Sequence, residues 1–292
     1  MSATIAEIES QPDVWADVIA RVPLVAGDLP ATGDRLAILG CGTSFYVAQA
    51  IAGVRRGANA GPTDAWVASE FEPDRPYDMV LAISRSGTTT EVLRALEVVP
   101  GDVPTVSISA VEGSPVPRAS ARAVILAEAD ERSVVQTRFA TSTVLLLRAH
   151  LGQDLASVIA DGREAVGAPL PIDPVAFERF VFLGRGWGVG LANEAALKMR
   201  EAALAWSESY PALEYRHGPI SLADERTTVW FLGEADPDLV RDVERVGATV
   251  VTADRDPLAE LIVIQRTAVA LALARGLDPD SPRHLTRSVV LS

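Results

Sequence analysis

The alternation of short apolar strands with helical stretches constrains this chain more than any other feature of its sequence. The apolar runs 36–39 and 79–83 are each followed by a turn rich in glycine or hydroxyl side chains, and then by a helical stretch. Continuous apolar strands are buried on both faces, which is typical of parallel sheets covered by helices. The sequence therefore predicts an α/β fold.

The same rhythm begins again after the Pro- and Gly-rich segment 167–174. Each half opens with a strand, a glycine-rich turn and a helix, which indicates a structural repeat without sequence identity. We predict two flavodoxin-like domains at 23–166 and 175–292, each a three-layer sandwich around a parallel sheet of about five strands, after an N-terminal helix within 1–22. The predicted strands are 36–39, 79–83, 105–108, 123–126, 180–183, 228–232 and 249–252, and the predicted helices are 3–21, 45–54, 89–98, 137–151, 191–206 and 261–275.

Charge and composition narrow the classes of partner. The chain has 292 residues, 48% of them hydrophobic, and a net charge of −13. This balance argues against nucleic acid or an anionic membrane surface as a partner, but it allows a local basic pocket for a small anion. A single cysteine excludes an internal disulfide, which fits a reducing compartment. The first 13 residues hold no basic side chain, so they do not form a signal peptide. Charged residues interrupt the apolar stretch 261–277, so it is not a membrane span. We expect a cytoplasmic protein without a membrane or nucleic-acid partner.

Two turns have the composition of phosphate-binding loops. Five of the seven residues 84–90 carry a hydroxyl group, where a single helix cap, the alternative interpretation, would need only one. Backbone N–H groups at a helix start and hydroxyl donors together suit a phosphate group. The turn 40–44 ends the preceding strand and would face the same pocket. The segment 184–190 lacks the third glycine of a dinucleotide-binding fingerprint, so we expect no nucleotide cofactor. The single cysteine excludes a multi-cysteine metal site, and we expect no metal cofactor.

A charged face on the predicted helix 191–206 is the strongest candidate for chemistry. Glu194, Lys198 and Glu201 lie on one side of this helix, and Lys198 is the only lysine among 26 basic residues. The alternative is a solvated ion pair, but the neighbouring alanines indicate a buried helix, where charges must be paired or functional. His217 follows in a turn. A carboxylate and an imidazole can move protons beside a carbonyl group.

These residues together resemble the tandem sugar-isomerase (SIS) domain family. Its members include the isomerase domain of glutamine–fructose-6-phosphate aminotransferase and the AgaS-type sugar-phosphate isomerases and deaminases. The similarity lies in the N-terminal helix, the two turns at 40–44 and 84–89, the segments 194–201 and 216–219, and the tail 277–283. It extends over nearly the whole chain.

The resemblance implies roles for individual residues. Glu201 would be the base that moves a proton between carbons 1 and 2, Lys198 would stabilise charge near the sugar oxygens, and His217 would assist ring opening from the partner subunit of a homodimer. The substrate-binding residues implied are Gly42, Thr43, Ser44, Ser84, Arg85, Ser86, Thr89, Glu194 and Arg287.

Two departures from the family pattern limit the expected reaction. The sequence has no glutaminase domain or N-terminal nucleophilic cysteine, so we expect no glutaminase activity. Arg287 stands where aminotransferases of the family carry an imine-forming lysine, and a guanidinium does not form an imine at neutral pH. The expected function is isomerisation or deamination of a 6-phosphorylated hexose or hexosamine. The alternative is a non-catalytic sugar-phosphate sensor, which would not need Glu201, Lys198 and His217.

Overall fold

The computed structural model describes residues 2–291 and contains strands and helices in alternation. In chain order the strands are β1 (Leu36–Gly40), β2 (Thr63–Val67), β3 (Met79–Ile83), β4 (Thr105–Ser109), β5 (Arg122–Ile125), β6 (Arg179–Gly184), β7 (Trp206–Pro211), β8 (Thr227–Leu232) and β9 (Thr249–Val251). The helices are α1 (Ala3–Glu9), α2 (Gln11–Val25), α3 (Thr43–Gly57), α4 (Thr90–Glu97), α5 (Pro115–Ala119), α6 (Arg138–His150), α7 (Ala156–Gly167), α8 (Gly188–Ala203), α9 (Pro237–Arg245) and α10 (Pro257–Ala274).

The strands form two wholly parallel sheets. Within residues 2–291 the first sheet has five strands, in the order β2-β1-β3-β4-β5, and the second has four, in the order β7-β6-β8-β9. The four strands of the second sheet follow the same order as the first four strands of the first sheet. The expectation of about five strands in each half is wrong for the second sheet, because the chain after β9 enters the buried helix α10.

Helices cover both faces of each sheet, as predicted. In β1, Leu36 and Ile38 face an inner core while Ala37 and Leu39 pack on the opposite face, beside α4 and α5. Strand β6 divides its side chains in the same way, and its inner ones join the same core as those of β1. Helix α3 packs against α8 inside this core. The structure thus shows two sheets around one shared core, and the division into two domains near 167–174 stays a prediction.

The elements that the sequence did not predict lie mainly at the periphery. Strands β2 and β7 are edge strands of partly polar sequence, so they lack the continuous apolar run of a central strand. The predicted helix 191–206 ends at Ala203, because Leu204 takes a left-handed conformation and β7 follows. The single helix predicted for 3–21 is two helices that meet at Ser10.

Helix α10 is long and apolar enough to cross a membrane by length and composition alone. However, 72% of its most apolar window is buried inside the protein, against α7 and α8. Burial of this kind is what the central helix of a protein core requires.

Candidate active site

Helix α8 carries a buried cluster of three charged side chains. Lys198 Nζ lies 3.1 Å from Glu194 Oε1 and 2.6 Å from Glu201 Oε2. The side chains of Lys198 and Glu194 are 1% exposed, whereas that of Glu201 is 20% exposed. The helical spacing therefore produces the predicted grouping, with one carboxylate that solvent or a ligand can reach.

Thr43 joins this cluster from the other half of the chain. Its hydroxyl accepts a hydrogen bond from Lys198 Nζ at 3.0 Å and lies 3.2 Å from Glu194 Oε1. Thr43 is the first residue of α3, and α3 approaches α8 so closely that a Cβ on Gly190 would lie 2.6 Å from the carbonyl oxygen of Tyr46. The absence of a side chain at Gly190 thus allows the contact between the two halves.

Burial and charge shift the pKa values of the cluster in a coupled way. Burial raises the pKa of Glu194 to about 7, although the Lys198 ammonium opposes this shift. Burial lowers the pKa of Lys198, but the carboxylates of Glu194 and Glu201 outweigh burial and raise it overall. Lys198 is therefore held as a cation, and burial makes the carboxyl group of Glu194 easier to protonate than one in water.

The hydroxyl-rich turn 84–90 connects β3 to α4 at the carboxyl edge of the first sheet. Gly87 has a positive φ of 64°, and a Cβ there would collide with Ser114, so a glycine is required for this turn. Ser84 Oγ lies 3.1 Å from Thr89 Oγ1, and Thr88 Oγ1 lies 3.0 Å from Ser86 Oγ. The turn therefore presents several hydroxyl groups close together.

The other predicted binding residues, from the first half and from the C-terminal tail, differ in their surroundings. Gly42, Thr43 and Ser44 form the start of α3, where Gly42 has a φ of 54° and both hydroxyl residues are buried. Arg85 is also buried and donates hydrogen bonds to two main-chain carbonyls. Arg287 is exposed and pairs with Asp130.

His217 is not joined to the cluster within the chain. It caps a short 3-10 helix, Ala212–Arg216, and its side chain is exposed. Across residues 2–291 its imidazole has no hydrogen-bond partner. The role implied for it, from a partner subunit, stays a prediction.

Two hydroxyl groups at the turn are absent from the predicted substrate-binding residues: Thr88, which was counted only as one of the turn's five hydroxyls, and Ser288. Ser288 Oγ, in the C-terminal tail, lies 3.0 Å from Ser86 Oγ and 2.8 Å from Thr88 Oγ1. The density of hydroxyls in 84–90 could have indicated Thr88, but nothing in the sequence connects Ser288 to a turn two hundred residues earlier. In the part of the chain that the structure describes, no group of three or more His, Cys, Asp or Glu side chains could hold a metal ion.

One part of the chain is similar to a known domain family. Residues 31–151 match the model of the SIS domain. The match ends before the second sheet, so a tandem arrangement of two SIS domains stays a prediction.

Individual relatives extend the similarity to both sheets. The isomerizing glutamine–fructose-6-phosphate aminotransferase of Xanthomonas campestris is 31% identical over 98% of this chain, and the chain spans 58% of that protein's length. The crystal structure of glucosamine-6-phosphate deaminase from Thermotoga maritima is 27% identical, with a TM-score of 0.88 over 99% of this chain and 100% of that one. Tagatose-6-phosphate ketose/aldose isomerase from Escherichia coli shares the fold, with 20% identity and a TM-score of 0.81 over 100% of this chain and 96% of that one.

Proposed function

We propose that this SIS-domain protein is a phosphosugar isomerase or deaminase that acts on a 6-phosphorylated hexose or hexosamine. The observation that carries the proposal is the buried Glu194–Lys198–Glu201 cluster joined to Thr43 at the edge of the first sheet. The similarity to relatives that are named for sugar phosphates supports it. A protein that only binds a sugar phosphate would not need a protonated lysine between two carboxylates.

The geometry of the cluster suits proton transfer at a sugar carbon. Glu201 is the more accessible of the two carboxylates, and as a base it would take the proton from carbon 2 of an open-chain aldose and return it to carbon 1. Lys198, held as a cation by two carboxylates, would stabilise the negative charge that develops on the sugar oxygens. With a 2-amino sugar the same shift gives an imine at carbon 2, which water hydrolyses to the ketose and ammonia.

The test is a panel of hexose and hexosamine 6-phosphates, assayed separately for ketose formation and for released ammonia. Ketose without ammonia identifies an isomerase, and ammonia in equal amount identifies a deaminase. Tight binding without turnover across the panel would support the alternative, a non-catalytic sensor. The matched control is Glu201→Gln, which keeps the shape of the side chain and should abolish turnover but not binding.

We further propose that the active site is completed by a second copy of the chain. The segment 204–222, which includes His217, has four exposed large apolar side chains, of which Trp206, at 69%, is the most accessible. Exposed apolar surface can mark a protein interface, and aromatic residues are enriched there. Tyr215, by contrast, is buried in the second sheet's outer core, so it does not contribute to this surface.

Complementation tests the shared site. Glu201→Gln and His217→Ala homodimers should each be nearly inactive. After subunit exchange, about a quarter of the wild-type sites should return, because random pairing makes half of the dimers hybrids and each hybrid has one intact site. Failure to recover activity in verified hybrids would place both residues in the site of one subunit.

A further inference from the structure

The C-terminal tail, residues 277–291, crosses from the second half of the chain to the hydroxyl-rich turn. At its near end, Asp280 accepts hydrogen bonds from Ser2 and Thr4 at the start of α1. At its far end, the Leu291 N–H donates to Thr90 Oγ1 at 2.9 Å and the Thr90 N–H donates to the Val289 carbonyl at 3.3 Å. The tail thus lies across the turn and is attached at both ends.

Arg85 holds the middle of this tail. Its guanidinium is 2% exposed, with Nη2 donating to the Arg287 carbonyl at 2.9 Å and Nη1 donating to the Ser133 carbonyl at 2.8 Å. The buried carboxylate of Glu131 lies 3.6 Å from Nη1 and balances the charge. A planar guanidinium can serve two carbonyls at once, which the single ammonium of a lysine does less well.

The position of Arg85 in the chain connects the tail to the turn. Arg85 precedes Ser86, and the carbonyl that it holds precedes Ser288. Fixing the Arg287 carbonyl therefore fixes the Ser288 hydroxyl against Ser86 and Thr88. The three hydroxyl groups lie within 3.0 Å of one another, and each can rotate its hydrogen toward an anion.

We propose that Arg85 is a positioning residue for the tail, and that through it Ser288 supplies a third hydroxyl to the phosphate group of the substrate. Both terminal nitrogens of Arg85 donate to main-chain oxygens, at Ser133 and in the tail, so we assign this arginine a role through the tail. This inference rests on the proposed function for the identity of the ligand, but not for the attachment of the tail.

Limited trypsin cleavage after Arg287 tests the attachment without any substrate. Trypsin needs the Arg287 side chain and carbonyl, which are engaged with Asp130 and Arg85. Arg85→Lys should raise the cleavage rate roughly tenfold or more, because cleavage follows the population of the open tail. The matched control is Arg55→Lys, since Arg55 is equally buried and donates to the carbonyls of Asp34 and Ala60, far from the tail.

Binding and kinetics test the effect on the phosphate. Ser288→Ala, a small change at a half-buried site, and Arg85→Lys should each weaken the binding of inorganic phosphate several-fold. On an active substrate both should raise KM more than they lower kcat, as expected for lost uniform binding.

The two proposals fail in different ways. Absence of turnover with every sugar phosphate, together with faster cleavage in Arg85→Lys, would reject the proposed function and retain the attachment of the tail. Equal cleavage rates in wild type, Arg85→Lys and Arg55→Lys would overturn the positioning role. Unchanged phosphate affinity in Ser288→Ala, or no phosphate binding by the wild type, would overturn the role of Ser288.

Discussion

The two sheets place different chemistry at equivalent positions of the same strand order. In the first sheet, neutral hydroxyl groups follow β1 and β3 at the start of the next helix. In the second sheet, the turn after β6 has no hydroxyl side chain, and the ionisable groups lie inside α8. Hydroxyl groups can be buried with one another, whereas buried charges need an opposite charge in contact. We infer that the two halves have different roles: the first half binds the phosphate group of the substrate, and the second half transfers a proton at the sugar carbons.

The largest effect that would sharpen this comparison is expected at Lys198. Lys198→Met should lower the free energy of unfolding by about 3–5 kcal/mol, because Glu194 loses its cation and must then either stay charged in a buried site or take up a proton. Urea denaturation measures this loss. The double variant with Glu194→Gln should recover much of it, since the buried charge is then removed as well. A loss near zero in the single variant would mean that the cluster is not held by charge pairing.

The second effect is a pH dependence of stability that belongs to Glu194. Its folded-state pKa of about 7 lies above the unfolded value near 4.3, so between these pH values the folded state binds more protons. Stability from this group is therefore full below about pH 4 and is lost as the pH rises toward 7. Glu194→Gln should remove this pH dependence, which amounts to about 3–4 kcal/mol of unfolding free energy across the range. The same slope in the variant and the wild type would contradict the assignment.

The smallest effect is expected in the first half, and it should appear in binding. Ser86→Ala should weaken the affinity for a 6-phosphosugar by roughly 1.5–3 kcal/mol, the value of a hydrogen bond to a charged group. Calorimetric titration measures the affinity, and urea denaturation should give nearly the wild-type stability. Ser69→Ala, at an exposed position, is the matched control. Equal affinities in Ser86→Ala and Ser69→Ala would mean that the phosphate binds elsewhere, and would contradict the different roles inferred for the two halves.

The parts of the fold that could be predicted are those in which burial leaves a local pattern. Strands β1, β3 and β6 are central and buried on both faces, so their apolar runs are continuous. Edge strands β2 and β7 bury only part of their surface and carry polar residues, and the sequence therefore gave no local sign of them. The grouping of Glu194, Lys198 and Glu201 followed from helical spacing alone.

The rest of the candidate site depends on contacts between distant segments. The pairing of Thr43 with Lys198 depends on how closely α3 and α8 approach, which no local pattern records. The family resemblance implied Arg85 as a substrate-binding residue, but its burial against the tail depends on residues two hundred positions away. Local spacing can thus indicate which side chains are available, but not which way a long side chain turns.

The close contact at Gly190 has a consequence for how a ligand reaches the site. The backbones of α3 and α8 touch there, and the two helices belong to one continuous core. A joint of this kind resists hinge bending, because separating the sheets would expose the shared core to water. We therefore expect a small molecule to enter and leave through movements of surface segments, with the shared core as a rigid frame.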